Sequence, residues 1–97
     1  MAVEATVAAW DEGEPWLTAV MEVLNENRHS LTDLLAEHLP GALYSPPRAA
    51  YLAWVDCSMI GPGEAPYELF RSRGVEVSPG TQFGAGGGGH VRLNLAT

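Results

Sequence analysis

The sequence predicts an α+β domain of two layers, a small and mostly antiparallel sheet covered by helices. Three observations carry the prediction. One apolar stripe at helical spacing runs the length of PWLTAVMEVLNENRHSLTDLLAEHL, AAYLAWVDC reads as a short apolar strand, and HVRLNLA alternates cleanly. The predicted order is helix, helix, strand, helix, strand, glycine-rich tip, strand. A long helix followed by short strands packs best as a helix laid across a sheet.

Val3, Val7 and Trp10 recur at helical spacing and predict a short opening helix that Gly13 ends. Pro15 suits the first turn of the next helix, where its missing N–H has no partner anyway. In that helix Leu17, Val20, Met21, Leu24, Leu31, Leu35 and Leu39 form the apolar stripe, the outer face is acidic and polar, and Pro40 with Gly41 stops it. The segment LYSPP is restricted by Pro46 and Pro47 to an edge strand or a loop. AAYLAWVDC places Tyr51, Ala53 and Val55 on one face and Leu52 and Trp54 on the other, so burial on both faces is expected. After a GPGEAP break, YELFRSR reads as a brief helix with Arg71 and Arg73 in its last turn and Gly74 just beyond. VEV is then a strand and SPG a turn. In the final strand Val91, Leu93 and Leu95 face one way and His90, Arg92 and Asn94 the other.

Ninety-seven residues make one domain with a modest core. Composition narrows its function. A net charge of −7, with only Arg28, Arg48, Arg71, Arg73 and Arg92 as basic residues, argues against nucleic-acid binding, which needs clustered cations. There is no lysine, so Schiff-base, P-loop and lysine-base chemistry are beyond these residues acting alone. Cys57 is the sole cysteine and fits a reducing compartment or an ordinary buried thiol. No stretch reaches the ~18 apolar residues of a membrane helix, and MAVEATVAAWDE lacks a basic signal-peptide start. A cytoplasmic protein without membrane contact is expected.

The run FGAGGGGH contains G-x-G-x-x-G from Gly84 through Gly86 to Gly89. A dinucleotide fingerprint follows a strand, opens a helix and precedes an acidic residue about 20 positions on. Here the glycines lead into a strand instead, and a phosphate cradle is rejected for a mobile tip or a close approach of two backbone segments. Arg92 is the sharper signal, because its guanidinium fork on a half-apolar strand suits bidentate carboxylate binding. Cys57, His29, His38 and His90 lack zinc-site spacing, and no metal site is expected. Ser78 lies in S-P-G and reads as a turn residue, and Asp56 as a strand end. Trp10, Trp16 and Trp54 read as core or interface anchors, with Trp54 on a strand that could border a cleft. Phe83 reads as a hydrophobic plug under a turn or the lining of an entrance near the glycine tip.

YLAWVDC, VEVSPGTQFG and HVRLNLAT together resemble the C-terminal portion of fold-type I pyridoxal-phosphate enzymes, specifically the cystathionine β-lyase-like branch of the class I/II aminotransferase family. EPWL, NENRHSLTDLLAEHLPG and LYSPPRAAYLAW resemble the lead-in helices and first strand of that family's small domain. The resemblance implies that residues 1–97 are one domain, the C-terminal small domain of a larger enzyme whose cofactor-binding domain is absent from this chain. It implies that Arg92 binds the α-carboxylate of an amino-acid substrate, and that no catalytic, cofactor-binding or metal-binding residue lies in this chain. Pyridoxal 5′-phosphate and a homodimeric assembly belong to the parent enzyme, an aminotransferase or carbon–sulfur β-lyase; the isolated chain is expected to be inactive and to hold no cofactor. The rival reading is a free-standing, non-catalytic α+β module for ligand or protein binding. A fragment predicts an exposed apolar face; a module predicts a cooperative monomer without one.

Overall fold

The computed structural model describes residues 1–61 and 65–96; three inner residues of the predicted GPGEAP break lie outside the described residues. Helix α1 spans Ala2–Glu12 and helix α2 Glu14–His38. Four strands follow, β1 Leu43–Tyr44, β2 Leu52–Asp56, β3 Ser78–Pro79 and β4 His90–Asn94, with helix α3 at Pro66–Ser72 between β2 and β3. The sheet order is β1-β2-β4-β3, and every pairing is antiparallel. The structure is the predicted α+β arrangement, with β2 and β4 side by side at its centre.

Alternation in these two strands decides where the core lies. Ala53 and Val55 of β2 with Cys57 just after it, and Val91 of β4 with Leu95 just after it, are buried on one face, joined by Leu35 from α2 and Val77. Leu31, Leu39, Tyr67 and Phe70 close over them, so α2 and α3 cover the same face of the sheet. Each fully buried valine contributes about 1.5–3 kcal/mol relative to exposure. The opposite face of β2 is not buried as the sequence suggested. Trp54 is 42% exposed there, and among the described residues no helix layer covers that side.

Gly13 does not end the first helix outright. Its backbone is right-handed helical, its N–H donates to the Ala9 carbonyl at 3.0 Å, and its carbonyl accepts from Leu17 N–H at 2.9 Å. The hydrogen-bond ladder therefore passes through Gly13, while Pro15 removes one donor. No residue of α1 is buried. The resulting molecule is long, 52 × 27 × 23 Å with a radius of gyration of 16.6 Å, against about 13 Å for a compact domain of this size.

Arg28 of α2 is buried, and its guanidinium donates to the carbonyl of Ala50. Asn27 donates to the Leu95 carbonyl at 2.7 Å. These bonds tie the helix to the entry of β2 and the exit of β4. At the end of α3, Val75 N–H bonds the Phe70 carbonyl and Gly74 N–H the Arg71 carbonyl, with Gly74 at φ +83°. That is the Schellman arrangement, and it requires the left-handed residue the sequence supplies. The strand expected at VEV begins later, at Ser78, and Pro79 is accommodated because β3 is the sheet edge. Among the described residues no helix is long and apolar enough to cross a membrane.

Candidate functional site

The uncovered face of the sheet gathers the polar and aromatic side chains. Pairing sets Trp54 opposite Arg92 and Asp56 opposite His90 across β2 and β4, and Ser78 opposite Arg92 on the other side. Arg92 thus lies between Trp54 and Ser78 on the face turned away from the core. Its guanidinium carbon sits 4.3 Å from the centroid of the Phe83 ring, and one terminal N–H group reaches Ser78 Oγ only at 3.5 Å. Among the described residues no carboxylate forms an ion pair with it. A half-buried guanidinium in this state keeps donors available for a bidentate anion.

The glycine run explains how Phe83 comes to lie there. Gly80–Phe83 and Ala85–Gly87 are successive 3₁₀ turns. They fold back so closely that a Cβ on Gly80 would overlap the Gly87 carbonyl, and one on Gly87 would overlap Gly80. The run is therefore a close backbone approach and not a phosphate cradle, and it opens onto β4 without any helix. Phe83 is 47% exposed, so it is not a plug beneath the turn.

Trp54 meets Phe83 edge to face at 5.9 Å between centroids and stacks on His90 at 5.1 Å with an 18° interplanar angle. His90 Nδ1 lies 2.9 Å from the Gly88 carbonyl, which makes that nitrogen the protonated one. Its Nε2 faces Asp56 at 3.8 Å. Asp56 in turn accepts from the Ser58 hydroxyl at 2.6 Å and the Ser58 N–H at 2.9 Å. These bonds, hydroxyl first, hold its carboxyl below the ordinary range, with nearby His90 acting in the same direction.

Of the residues singled out in the sequence, the structure joins Arg92, Ser78, Phe83, Trp54, His90 and Asp56 in one cluster. Cys57 lies on the buried face, and His29 and His38 lie on α2. Among the described residues no three His, Cys, Asp or Glu side chains converge. The aromatic cluster around Arg92 was not anticipated. Its only sequence signal is the equal alternation that puts Trp54 and Arg92 on one face once β2 and β4 are paired.

Known proteins share the sequence and fold of this chain. The chain is 35% identical to the cystathionine β-lyase PatB of Bacillus subtilis, over 96% of this chain and 24% of that protein. The pyridoxal-phosphate-bound C–S lyase from Staphylococcus hominis superimposes with a TM-score of 0.82 at 37% identity, covering 93% of this chain and 25% of that one. The chain is homologous to a segment of these C–S lyases. Aminotransferases share the fold as well: an aspartate aminotransferase variant of Thermus thermophilus matches with a TM-score of 0.79 at 32% identity, over 96% of this chain and 26% of that one. No protein-family model matches the chain. The chain spans about a quarter of the length of the curated relatives it matches. Its likeness to the C–S lyases is consistent with a C-terminal piece of a fold-type I enzyme.

Proposed function

We propose that residues 1–97 are the C-terminal small domain of a pyridoxal-phosphate-dependent enzyme, a C–S β-lyase or aminotransferase, and that Arg92 binds the α-carboxylate of its amino-acid substrate. The observation that carries this is the Arg92 guanidinium, half-buried over Phe83 and without a carboxylate partner among the described residues. The residues present do not fit the cofactor itself. The chain has no lysine to hold pyridoxal phosphate covalently, so the cofactor belongs with the remaining three-quarters of the enzyme, and the isolated chain is inactive in this reading. Bound there, the cofactor supplies the electron sink for carbanion chemistry at the substrate Cα. Arg92 supplies orientation: a bidentate clamp on the carboxylate fixes Cα relative to the base that removes its proton. The products are then either a thiol with pyruvate and ammonia, or an amino-exchanged acid.

The uncovered sheet face and the exposed apolar residues of α1 favour this over a free-standing binding module. In the same reading the intact enzyme is a cytoplasmic homodimer. The test is Arg92→Ala in the full-length enzyme. We expect kcat/KM for amino-acid substrates to fall on the order of a hundredfold, the loss of a charged hydrogen-bonded pair, with the cofactor's visible absorbance unchanged. An unchanged kcat/KM removes Arg92 from the site.

A further inference from the structure

The clamp has a support that uses none of its hydrogen-bond donors. Arginine is a flexible side chain, and holding it in one geometry costs rotamer freedom that binding must otherwise supply. Ser78 does not fix it, since 3.5 Å is at the limit of a hydrogen bond. A protein carboxylate would fix it but would occupy the fork. The Phe83 ring, its centroid 4.3 Å from the guanidinium carbon, attracts the cation without accepting any of its N–H groups in a conventional hydrogen bond.

Phe83 sits on a half-exposed turn and cannot hold its own orientation without a neighbour. Trp54 provides one at 5.9 Å in edge-to-face contact, and Trp54 is itself stacked on His90 at 5.1 Å. His90 is anchored through Nδ1–H on the Gly88 carbonyl, with Nε2 turned toward Asp56 at 3.8 Å. The series runs unbroken from the Gly88 carbonyl to the arginine. We infer that Phe83, Trp54 and His90 form a positioning platform that holds the Arg92 guanidinium for binding of a substrate carboxylate. Phe83 is the positioning residue in direct contact, and Trp54 and His90 act through it. The inference rests on the carboxylate-binding reading of Arg92 and names the residues that make it effective.

The test is a double-mutant cycle in the full-length enzyme, with Phe83→Leu made beside native Arg92 and beside Arg92→Lys, and Phe83→Tyr as the conservative variant. We expect Phe83→Leu to raise KM for the amino acid roughly threefold or more with kcat little changed, as for loss of a cation–π support acting on binding. Phe83→Tyr restores the native KM, the effect disappears beside Arg92→Lys, and a crystal structure of Phe83→Leu shows Arg92 in more than one rotamer. Trp54→Leu and His90→Ala raise KM in the same direction by less. A native KM in Phe83→Leu, an equal rise in both arginine backgrounds, or a Phe83→Tyr variant as impaired as Phe83→Leu overturns the platform. If Arg92→Lys leaves KM untouched, the carboxylate reading falls and the platform's role falls with it; if Arg92→Lys raises KM and Phe83→Leu does not, only the platform falls.

Discussion

At the scale of single residues, Cys57 illustrates how the two faces of β2 differ. Asp56 points to the open face and makes hydrogen bonds to Ser58. Cys57, its neighbour, is buried in the core beside Val55 and Val91. Burial pushes the Cys57 thiol up to about 11, with the nearby Asp56 charge adding to the shift. A thiol is the neutral form, so the folded state favours the proton. Its contribution to stability is fully present below the unfolded pKa of about 8.5 and is lost as pH rises through the folded value of about 11. Reactivity follows thiolate content and access. We expect iodoacetamide to label Cys57 slowly at pH 8 in the native protein and rapidly in denaturant; equal rates would place the thiol outside the core. Arg28 makes the complementary point. It belongs to the same basic set as Arg92, yet it is buried and committed to the Ala50 carbonyl, and only packing tells the two arginines apart.

Among the elements, the glycine run makes the sharpest prediction because its members are not equivalent. Gly87 packs directly on the backbone of Gly80, whereas a Cβ on Gly88 would meet open space at φ −59°. Gly87→Ala should therefore cost about 1–3 kcal/mol by overpacking and move Phe83 away from Arg92, while Gly88→Ala should stay within about 0.5 kcal/mol of the native protein. Urea unfolding of the two variants checks this, and equal midpoints would mean that the turns are not packed as described. The same contrast marks the limit of what the sequence made legible. Helix α2 and strands β2 and β4 were readable as elements, but the burial expected on both faces of β2 and along the whole α2 stripe was not found, since Trp54, Leu17 and Met21 are exposed. The start of β3 was not: Val75 is exposed and Val77 buried, but the pairing with β4 begins at Ser78, set by the partner strand's register. The face on which Arg92 lies was legible from alternation, whereas its carboxylate-binding role came from the family resemblance. Phe83, Trp54 and His90 were not legible as its support, because their meeting depends on a strand pairing and on a turn geometry that glycine spacing does not specify.

Over the whole molecule, the feature that demands a partner is the projecting helical arm. Trp10 is 82% exposed and Trp16 70%, and together with Ala9 and Leu17 they line an apolar groove of about 430 Å³ where α1 meets α2. Two tryptophans exposed to that degree present on the order of 300 Å² of largely apolar surface, and Leu17, Val7 and Val3 extend it toward the size at which a patch marks an interface. The net charge of −7 opposes association, but charge repulsion between small proteins is screened within about 8 Å at physiological ionic strength, and burial of a contiguous apolar patch is not. We expect the isolated chain to self-associate at micromolar concentration and more strongly as salt is raised. Trp10→Glu should shift it toward monomer without altering the core, which lies far along α2 at Leu35. Light scattering across a salt series decides the matter. A monomer at every salt concentration would mean that the arm does not need to be covered, and would return weight to a free-standing module; association that Trp10→Glu reverses would identify the arm as an apolar surface that packs on another body, as the small-domain reading requires.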